Sequence, residues 1–305
     1  MNFGVVGAGG IGSYYGGLLS RAGHEVVLLT RGDHLAAVRA RGLEVRTPNG
    51  AFTVRPRATD DPENLAGADY VLVAVKGYSL PDASDAIARA ARSGSVVVPL
   101  LNGVDVPERL ESLDIPRASI VGGLVAASLV RTAPGVVERR SPFDRMVVGE
   151  LDCSSTERVR RFSDAMSDAG VSASVSANIR MDLWRKFAFI VPMGVACGLA
   201  RRSMGPVIAS ERGRRLLLGA LHEVVLVSRA TDTPLSDADE QNVSRELLAL
   251  SPQMRPSFLA DLERGGPAEI DLLPGTVARL GRAHDIPTPI HDIAVAAFDA
   301  ATQPA

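Results

Sequence analysis

The chain has 305 residues, 46% of them hydrophobic, and a formal net charge of −2. That length suggests two domains with ample core, and the near-neutral balance gives no electrostatic reason to expect nucleic acid or an acidic membrane surface as a partner. The only two cysteines, Cys153 and Cys197, have neither metal-binding nor disulfide-framework spacing, which suits a reducing cytoplasm.

Phe3 to Val6 is a short apolar run leading into Gly7-Ala8-Gly9-Gly10-Ile11-Gly12, a G-x-G-x-x-G pattern. Tyr15, Leu18, Leu19 and Ala22 then share one helical face, Gly23 is a natural stop, and Val26 to Leu29 reads as a second strand. Strand, glycine turn, helix and strand in that order predict a dinucleotide-binding βαβ unit. Gly7 allows the tight turn, Gly9 lets backbone approach a pyrophosphate, and Gly12 lets the helix lie close to the strand. The helix start, with Ala8, Gly10 and Ile11 in the turn, offers unpaired amides and a positive dipole end to phosphates. The plainer reading is a turn whose glycines serve packing alone.

Binders of NAD usually carry an acid at the end of the second strand, where it holds the ribose 2′-hydroxyl. Here that stretch is Leu29-Thr30-Arg31-Gly32-Asp33. A guanidinium at position 31 suits a 2′-phosphate, so the expected cofactor is NADPH. The alternative is a solvated Arg31 with Asp33 as a displaced acid.

Further along, His34 to Ala40 continues as a helix. Leu43 to Thr47 and Phe52 to Val54 alternate around Pro48-Asn49-Gly50, a hairpin inserted into an otherwise parallel pattern. Tyr70 to Val75 and Ser95 to Leu101 are continuous apolar runs, as expected of strands buried on both faces. The first ends in Lys76 and the second in Asn102-Gly103, with a helix from Pro81 to Ala91 between them. Strands follow at 120–127, 135–138 and 146–149, then a helix over 156–169 and a short strand at 171–175. Beyond Ser176 helical periods dominate, over 182–199, 211–230, 237–249, 257–263, 270–284 and 290–300. The expected architecture is an N-terminal Rossmann-type doubly wound α/β domain, residues 1–176, followed by an all-α domain, residues 177–305, with ligands in the cleft they leave. The apolar run Phe187 to Ala200, broken by Pro192, Gly194 and Gly198, is too short to span a bilayer and reads as a buried helix. No basic segment precedes the glycine motif, so a cleaved signal is not expected.

Lys76 and Asn102 follow buried strands on the edge where a dinucleotide would lie, so they are candidates for holding the cofactor or a substrate carboxylate; each could equally be a turn residue. Lys186, in Trp184-Arg185-Lys186-Phe187, faces an apolar helix. Burial lowers a lysine's pKa and makes its ammonium a usable proton donor near neutral pH. A snorkelling side chain is the alternative. Glu269 reads as an acid in a first helical turn and Ser257 as a helix N-cap. His222, His284 and His291 have no zinc spacing, and no metal is expected.

In this order, these pieces resemble the ketopantoate reductase (2-dehydropantoate 2-reductase) family over nearly the whole chain. The resemblance rests on the glycine motif, Arg31, Lys76 after Val71 to Val75, Asn102-Gly103, Leu183-Trp184-Arg185-Lys186, Ser257 with Asp261, and Ala268-Glu269-Ile270-Asp271. It implies NADPH-dependent reduction of a 2-keto acid to a 2-hydroxy acid, as in the pantothenate-biosynthesis step from ketopantoate to pantoate. It further implies Lys186 as general acid, Glu269 as partner of the lysine and of a substrate hydroxyl, and Ser257, Asn102 and Lys76 as groups holding the substrate and the nicotinamide end. The family usually carries asparagines where this chain has Ile190, Gly194, Met204 and Pro274. Positions 186, 190 and 194 share a helical face, so Ile190 and Gly194 imply a substrate pocket more apolar than one built for ketopantoate. Two other readings stand beside this one: another hydroxyacid dehydrogenase of the superfamily, and a non-catalytic NADPH-binding sensor, which would need neither Lys186 nor Glu269. The expected partner is a small 2-keto acid; a homodimer is compatible with the sequence, which does not reveal the oligomeric state.

Overall fold

Buried on both faces, the apolar strands β1 (Asn2–Val6) and β6 (Tyr70–Val73) form the centre of a five-stranded parallel sheet in the computed structural model, which describes residues 1–302. Around them lie β2 (Glu25–Leu29), β5 (Arg57–Thr59) and β7 (Val96–Pro99), in the order β5-β2-β1-β6-β7. The connecting helices are α1 (Gly10–Arg21), α2 (Gly32–Arg41) and α3 (Leu80–Arg92). Tyr15 and Leu19 of α1 are wholly buried with Phe3, Val5 and Leu28, as the helical spacing requires. The architecture is Rossmann-type α/β with a helical C-terminal region.

The predicted hairpin exists as β3 (Leu43–Thr47) and β4 (Gly50–Val54), but its setting differs from the expectation. It is not inserted into the parallel sheet. Strand β3 pairs in parallel with β10 (Val136–Arg139), and β10 pairs antiparallel with β9 (Leu129–Ala133), giving a separate sheet in the order β4-β3-β10-β9. Thr47 pairs with Gly50, so Pro48-Asn49 is the two-residue turn, and Gly50 takes φ +125° at the start of β4. After α4 (Val106–Ser112), a third sheet follows in the order β12-β11-β8, from β8 (Gly122–Ala126), β11 (Arg145–Gly149) and β12 (Ser172–Val175), with α5 (Glu157–Asp168) before β12. Neither β5 nor β9 was expected: β5 has three residues, and β9 is a partly exposed edge with no apolar run.

Two compact units divide the chain: Met1–Leu101 with Asp105–Ile179, and Asn102–Val104 with the chain from Arg180 onward. The expected boundary near Ser176 falls just before α6 (Ile179–Ala200). The helical unit continues with α7 (Met204–Ala209), α8 (Glu211–Arg229), α9 (Asp237–Leu248), α10 (Ser257–Glu263), α11 (Pro274–Ala283) and α12 (Pro289–Thr302). The six-residue α7 was not expected. Helix α11 starts at Pro274 rather than at residue 270, since proline suits a first helical position, where its missing N–H has no partner to lose.

Helix α6 is longer than its apolar run suggested. Its 22 residues are long and apolar enough to cross a bilayer by length and composition, yet 67% of the relevant window is buried inside the protein. It continues through Pro192, which removes one helical hydrogen bond. A Cβ on Gly194 would touch Phe258 of α10 at 3.5 Å, and one on Gly198 would come within 2.7 Å of Phe298 of α12. The two rings meet edge to face, with centroids 5.1 Å apart. Two glycines one turn apart thus make room for an aromatic pair.

In the glycine turn, a Cβ on Gly12 would lie 2.2 Å from the Gly7 carbonyl oxygen and 2.8 Å from Val5, whereas one on Gly9 would meet nothing within 4 Å. Gly12→Ala is therefore expected to lower stability by about 1–3 kcal/mol through overpacking, while Gly9→Ala leaves it nearly unchanged. The midpoints of urea unfolding check this; equal losses in the two variants would contradict the packing described.

Candidate active site

The glycine turn has the features of a phosphate cradle. Gly7 has φ +94°, which a side chain would strain, and its Cβ would collide with the backbone of Val75. Gly9 is the N-cap of α1 and its open side leaves backbone accessible to a ligand. Helix α1 has no acid in its first turn and, among the described residues, no side-chain cap, so its amides and dipole are left for an anion. Gly10 has a job the motif does not reveal: its missing Cβ would lie 2.5 Å from the Leu129 carbonyl oxygen, so β9 is seated directly on the turn. These features fit a dinucleotide pyrophosphate.

A buried chain of hydrogen bonds holds the turn from behind. Ser13 donates its hydroxyl to the Ala8 carbonyl at 2.9 Å, and His34 Nε2 lies 3.1 Å from Ser13 Oγ. The Gly135 N–H donates to His34 Nδ1 at 3.0 Å. With Nδ1 accepting, the ring proton sits on Nε2 and donates to the serine. Burial, and secondly the charge of Arg131, pushes the His34 pKa down to about 4, so the ring is neutral at physiological pH and this tautomer is fixed. Sequence reasoning missed both residues; the available signal was a histidine in the first turn of the helix after Arg31. Arg31 itself is the N-cap of α2, is exposed, and makes no hydrogen bond or ion pair among the described residues.

In the helical unit, Lys186 Nζ donates to Asn102 Oδ1 at 2.7 Å. The side chain keeps some exposed surface, but its amine is withdrawn from water: burial lowers its pKa to about 8, against a smaller opposing effect of the Glu269 charge. Glu269 is buried. The chain has 33 Lys and Arg residues together, and only Lys76 and Lys186 are lysines. Arginine cannot give up its proton near neutral pH, so the rarer residue stands where titration is useful. The expected lysine partner was Glu269; the structure adds Asn102, which belongs with the helical unit although it follows β7. A strand-end asparagine gave no sign of this pairing.

The other candidates separate. Lys76 precedes a short 3-10 turn in the α/β unit. Ser257 is the first residue of α10, exposed, and does not cap it; the N-cap is Pro256. Ile190, one turn from Lys186, is partly exposed. Gly194, expected to line a more apolar substrate pocket, and Met204, another position where the family's asparagine is absent, both lie in the packed interior. Gly194 is buried beneath Phe258, and Met204 is wholly buried with its sulfur 3.3 Å from Cys197. Among the described residues no His, Cys, Asp and Glu cluster could hold a metal.

Comparison with known proteins gives matches to two parts of one family: ketopantoate reductase PanE/ApbA over residues 3–152, and ketopantoate reductase PanE/ApbA C terminal over residues 178–302. A 2-dehydropantoate 2-reductase of Halobacterium salinarum is 31% identical over 288 residues, covering 94% of each chain. YkpB of Bacillus subtilis, an uncharacterized oxidoreductase, is 30% identical over 290 residues, covering 95% of each. The crystal structure of a PanE/ApbA family ketopantoate reductase from Ralstonia eutropha JMP134 superposes with a TM-score of 0.90 at 29% identity, covering 99% of this chain and 98% of that one.

The Lys186 environment predicts its titration. With the amine of the free protein titrating near pH 8, and the Glu269 charge raising that value, Glu269→Gln is expected to move the titration to lower pH. Carbon-13 labelling of lysine, read by NMR across pH, resolves this because there are only two lysines to assign. A Lys186 midpoint near 10.5 would mean that the amine is solvated.

Proposed function

We propose, from the premise that the chain belongs to the ketopantoate reductase family of oxidoreductases, that it reduces a 2-keto acid to a 2-hydroxy acid with NADPH. The observation that carries this reading is the withdrawn ammonium of Lys186, hydrogen-bonded by Asn102 and biased by Glu269. In the α/β unit, residues 7–12 hold the pyrophosphate, Arg31 takes the 2′-phosphate that distinguishes NADPH from NADH, and Lys76 attends the nicotinamide end. The bound dinucleotide supplies a hydride to the keto carbon. Lys186 gives its proton to the carbonyl oxygen as that oxygen gains charge, so the product leaves as the hydroxyl and the neutral amine is reprotonated from solvent. Asn102 holds the ammonium in one orientation and contributes to substrate binding. Glu269 favours the protonated lysine through its charge. Ser257 binds the substrate at the start of α10. Two free cysteines, one exposed and one buried, suit a cytoplasmic setting.

Lys186→Ala is expected to lower kcat by about 10²–10⁴-fold, the range for losing a general acid, with NADPH affinity nearly unchanged. Steady-state kinetics together with cofactor titration check both halves. A kcat close to wild type would leave Lys186 as a snorkelling residue.

The substrate follows from Ile190. An asparagine here would meet a substrate hydroxyl; isoleucine leaves that hydroxyl desolvated and unpaired, at about 1–3 kcal/mol. We infer a preference for a 2-keto acid with an apolar tail. The expected result is a higher kcat/KM for the deoxy analogue of ketopantoate, ending in methyl, than for ketopantoate itself. A strong preference for ketopantoate would mean that other residues pair with its hydroxyl.

A further inference from the structure

We propose that Arg131, on the edge strand β9, is a second cation for the cofactor's 2′-phosphate and so a determinant of NADPH over NADH. This deepens the reading of Arg31 and rests on NADPH being the cofactor.

The inference comes from how β9 lies in the α/β unit. At its start, the backbone of Leu129 and Val130 is seated on Gly10 in the phosphate cradle. At its far end, the turn into β10 packs on α2: Gly135 donates to His34, the Pro134 carbonyl accepts from Arg41 at 2.9 Å, and a Cβ on Gly135 would lie 3.1 Å from the Ala37 Cβ. The strand therefore runs from the pyrophosphate end of the cradle to α2, which its far end meets through the side chains of His34 in the first turn, Ala37 in the second and Arg41 at the last residue. Arg131 lies between these two contacts.

The register sets its face. Arg131 pairs with Val137 of β10, which in turn pairs with Val45 of β3; both valines are wholly buried. A Cβ on Gly17 of α1 would lie 2.6 Å from Val45, so this is the face that packs against the helices. Directly opposed residues share a face, which puts Arg131 at the open edge of an apolar surface, on the helix side. Its nearness to His34, whose pKa its charge depresses, agrees with that direction. Arg139, two pairs away on β10, shares the face and is used by the protein, donating to the Ser141 carbonyl at 2.9 Å. Arg131 is exposed and makes no hydrogen bond or ion pair among the described residues. Arg131 thus acts on a histidine that stands three residues after Arg31, the N-cap of the same helix. An arginine fork with no protein acceptor matches a phosphate dianion better than it matches a ribose hydroxyl.

The test titrates NADPH and NADH into the full-length protein, with dissociation constants measured by calorimetry, in wild type, Arg31→Ala, Arg131→Ala and Arg131→Lys. The expected result is that Arg131→Ala weakens NADPH about 5- to 30-fold and NADH hardly at all, with Arg131→Lys in between because it keeps charge but not the fork. Arg31→Ala is the control for the underlying reading. If it lowers the NADPH preference and Arg131→Ala does not, the role of Arg131 is overturned while the cofactor assignment stands, and Arg131 is an edge-strand charge that guards against sheet pairing. If wild type binds NADPH no more tightly than NADH, the NADPH reading itself fails and takes this inference with it. Equal weakening of both cofactors by Arg131→Ala also overturns it, since that would report a disturbed cradle and not a 2′-phosphate contact.

Discussion

Lys186 is the constraint around which the helical unit is arranged. Moving its pKa from 10.5 to about 8 corresponds to roughly 3 kcal/mol against the charged form. The sign follows from proton binding: between those values the unfolded chain holds more protons than the folded one, so this penalty is felt in full below the folded pKa and fades as pH rises toward 10.5. A fold keeps such a group only if the surroundings over-determine it. Asn102 supplies an acceptor at 2.7 Å and Glu269 an opposing charge, while α6 supplies the apolar setting. That Asn102 comes from a three-residue excursion after β7 explains why residues 102–104 group with helices distant in sequence.

The α/β unit meets a different requirement, the exact placing of backbone amides. Its glycine turn is held on three sides. Gly12 is packed against the Gly7 carbonyl and Val5, Gly10 against β9, and the Ala8 carbonyl is tied through Ser13 and His34 to Gly135. The sheet β4-β3-β10-β9 is therefore part of the cradle's support, since both its edge strand and its β9–β10 turn reach the loop or the histidine behind it. A neutral His34 serves this better than a charged one. Protonation at Nδ1 would turn the acceptor for Gly135 into a donor facing a donor, and the depressed pKa keeps that state away from physiological pH.

Local physics made much of this legible in the sequence. Helical periods located α6, α8, α9, α10 and α12, and the two apolar runs located β6 and β7, because burial leaves a pattern within a single element. The functions of Gly7 and Gly12 followed from the strand–turn–helix order, and the lysine on an apolar helix was visible as a conflict between charge and surroundings. What stayed hidden depends on pairs distant along the chain. Asn102 looks like any strand-end turn residue until Lys186 is placed against it. His34 and Ser13 are unremarkable until Gly135 arrives from β10. Strand β9 is short and half exposed, and α7 is one and a half turns long, so neither has a period to read. Glycines carry the least information of all: Gly10 looked like a motif residue and is also a seat for Leu129.

Gly194 shows how the same limit affects substrate reasoning. Replacing a polar side chain by glycine on the lysine's helical face suggests an enlarged pocket, but the absence of a side chain says nothing about what fills the space. Here Phe258 fills it, and Gly198 one turn later admits Phe298 in the same way. Shape complementarity of this kind is a property of three helices, α6, α10 and α12, and no single segment records it. The consequence reaches the candidate site residues, because Phe258 follows Ser257 directly. Seating the ring on Gly194 anchors the first turn of α10, so the position of the Ser257 hydroxyl is tied to the same helix that carries Lys186. The glycine at position 194 is thus coupled to the placement of a candidate substrate-binding hydroxyl through one aromatic side chain, and Ile190 is the position on that face, one turn from Lys186, that still has accessible surface.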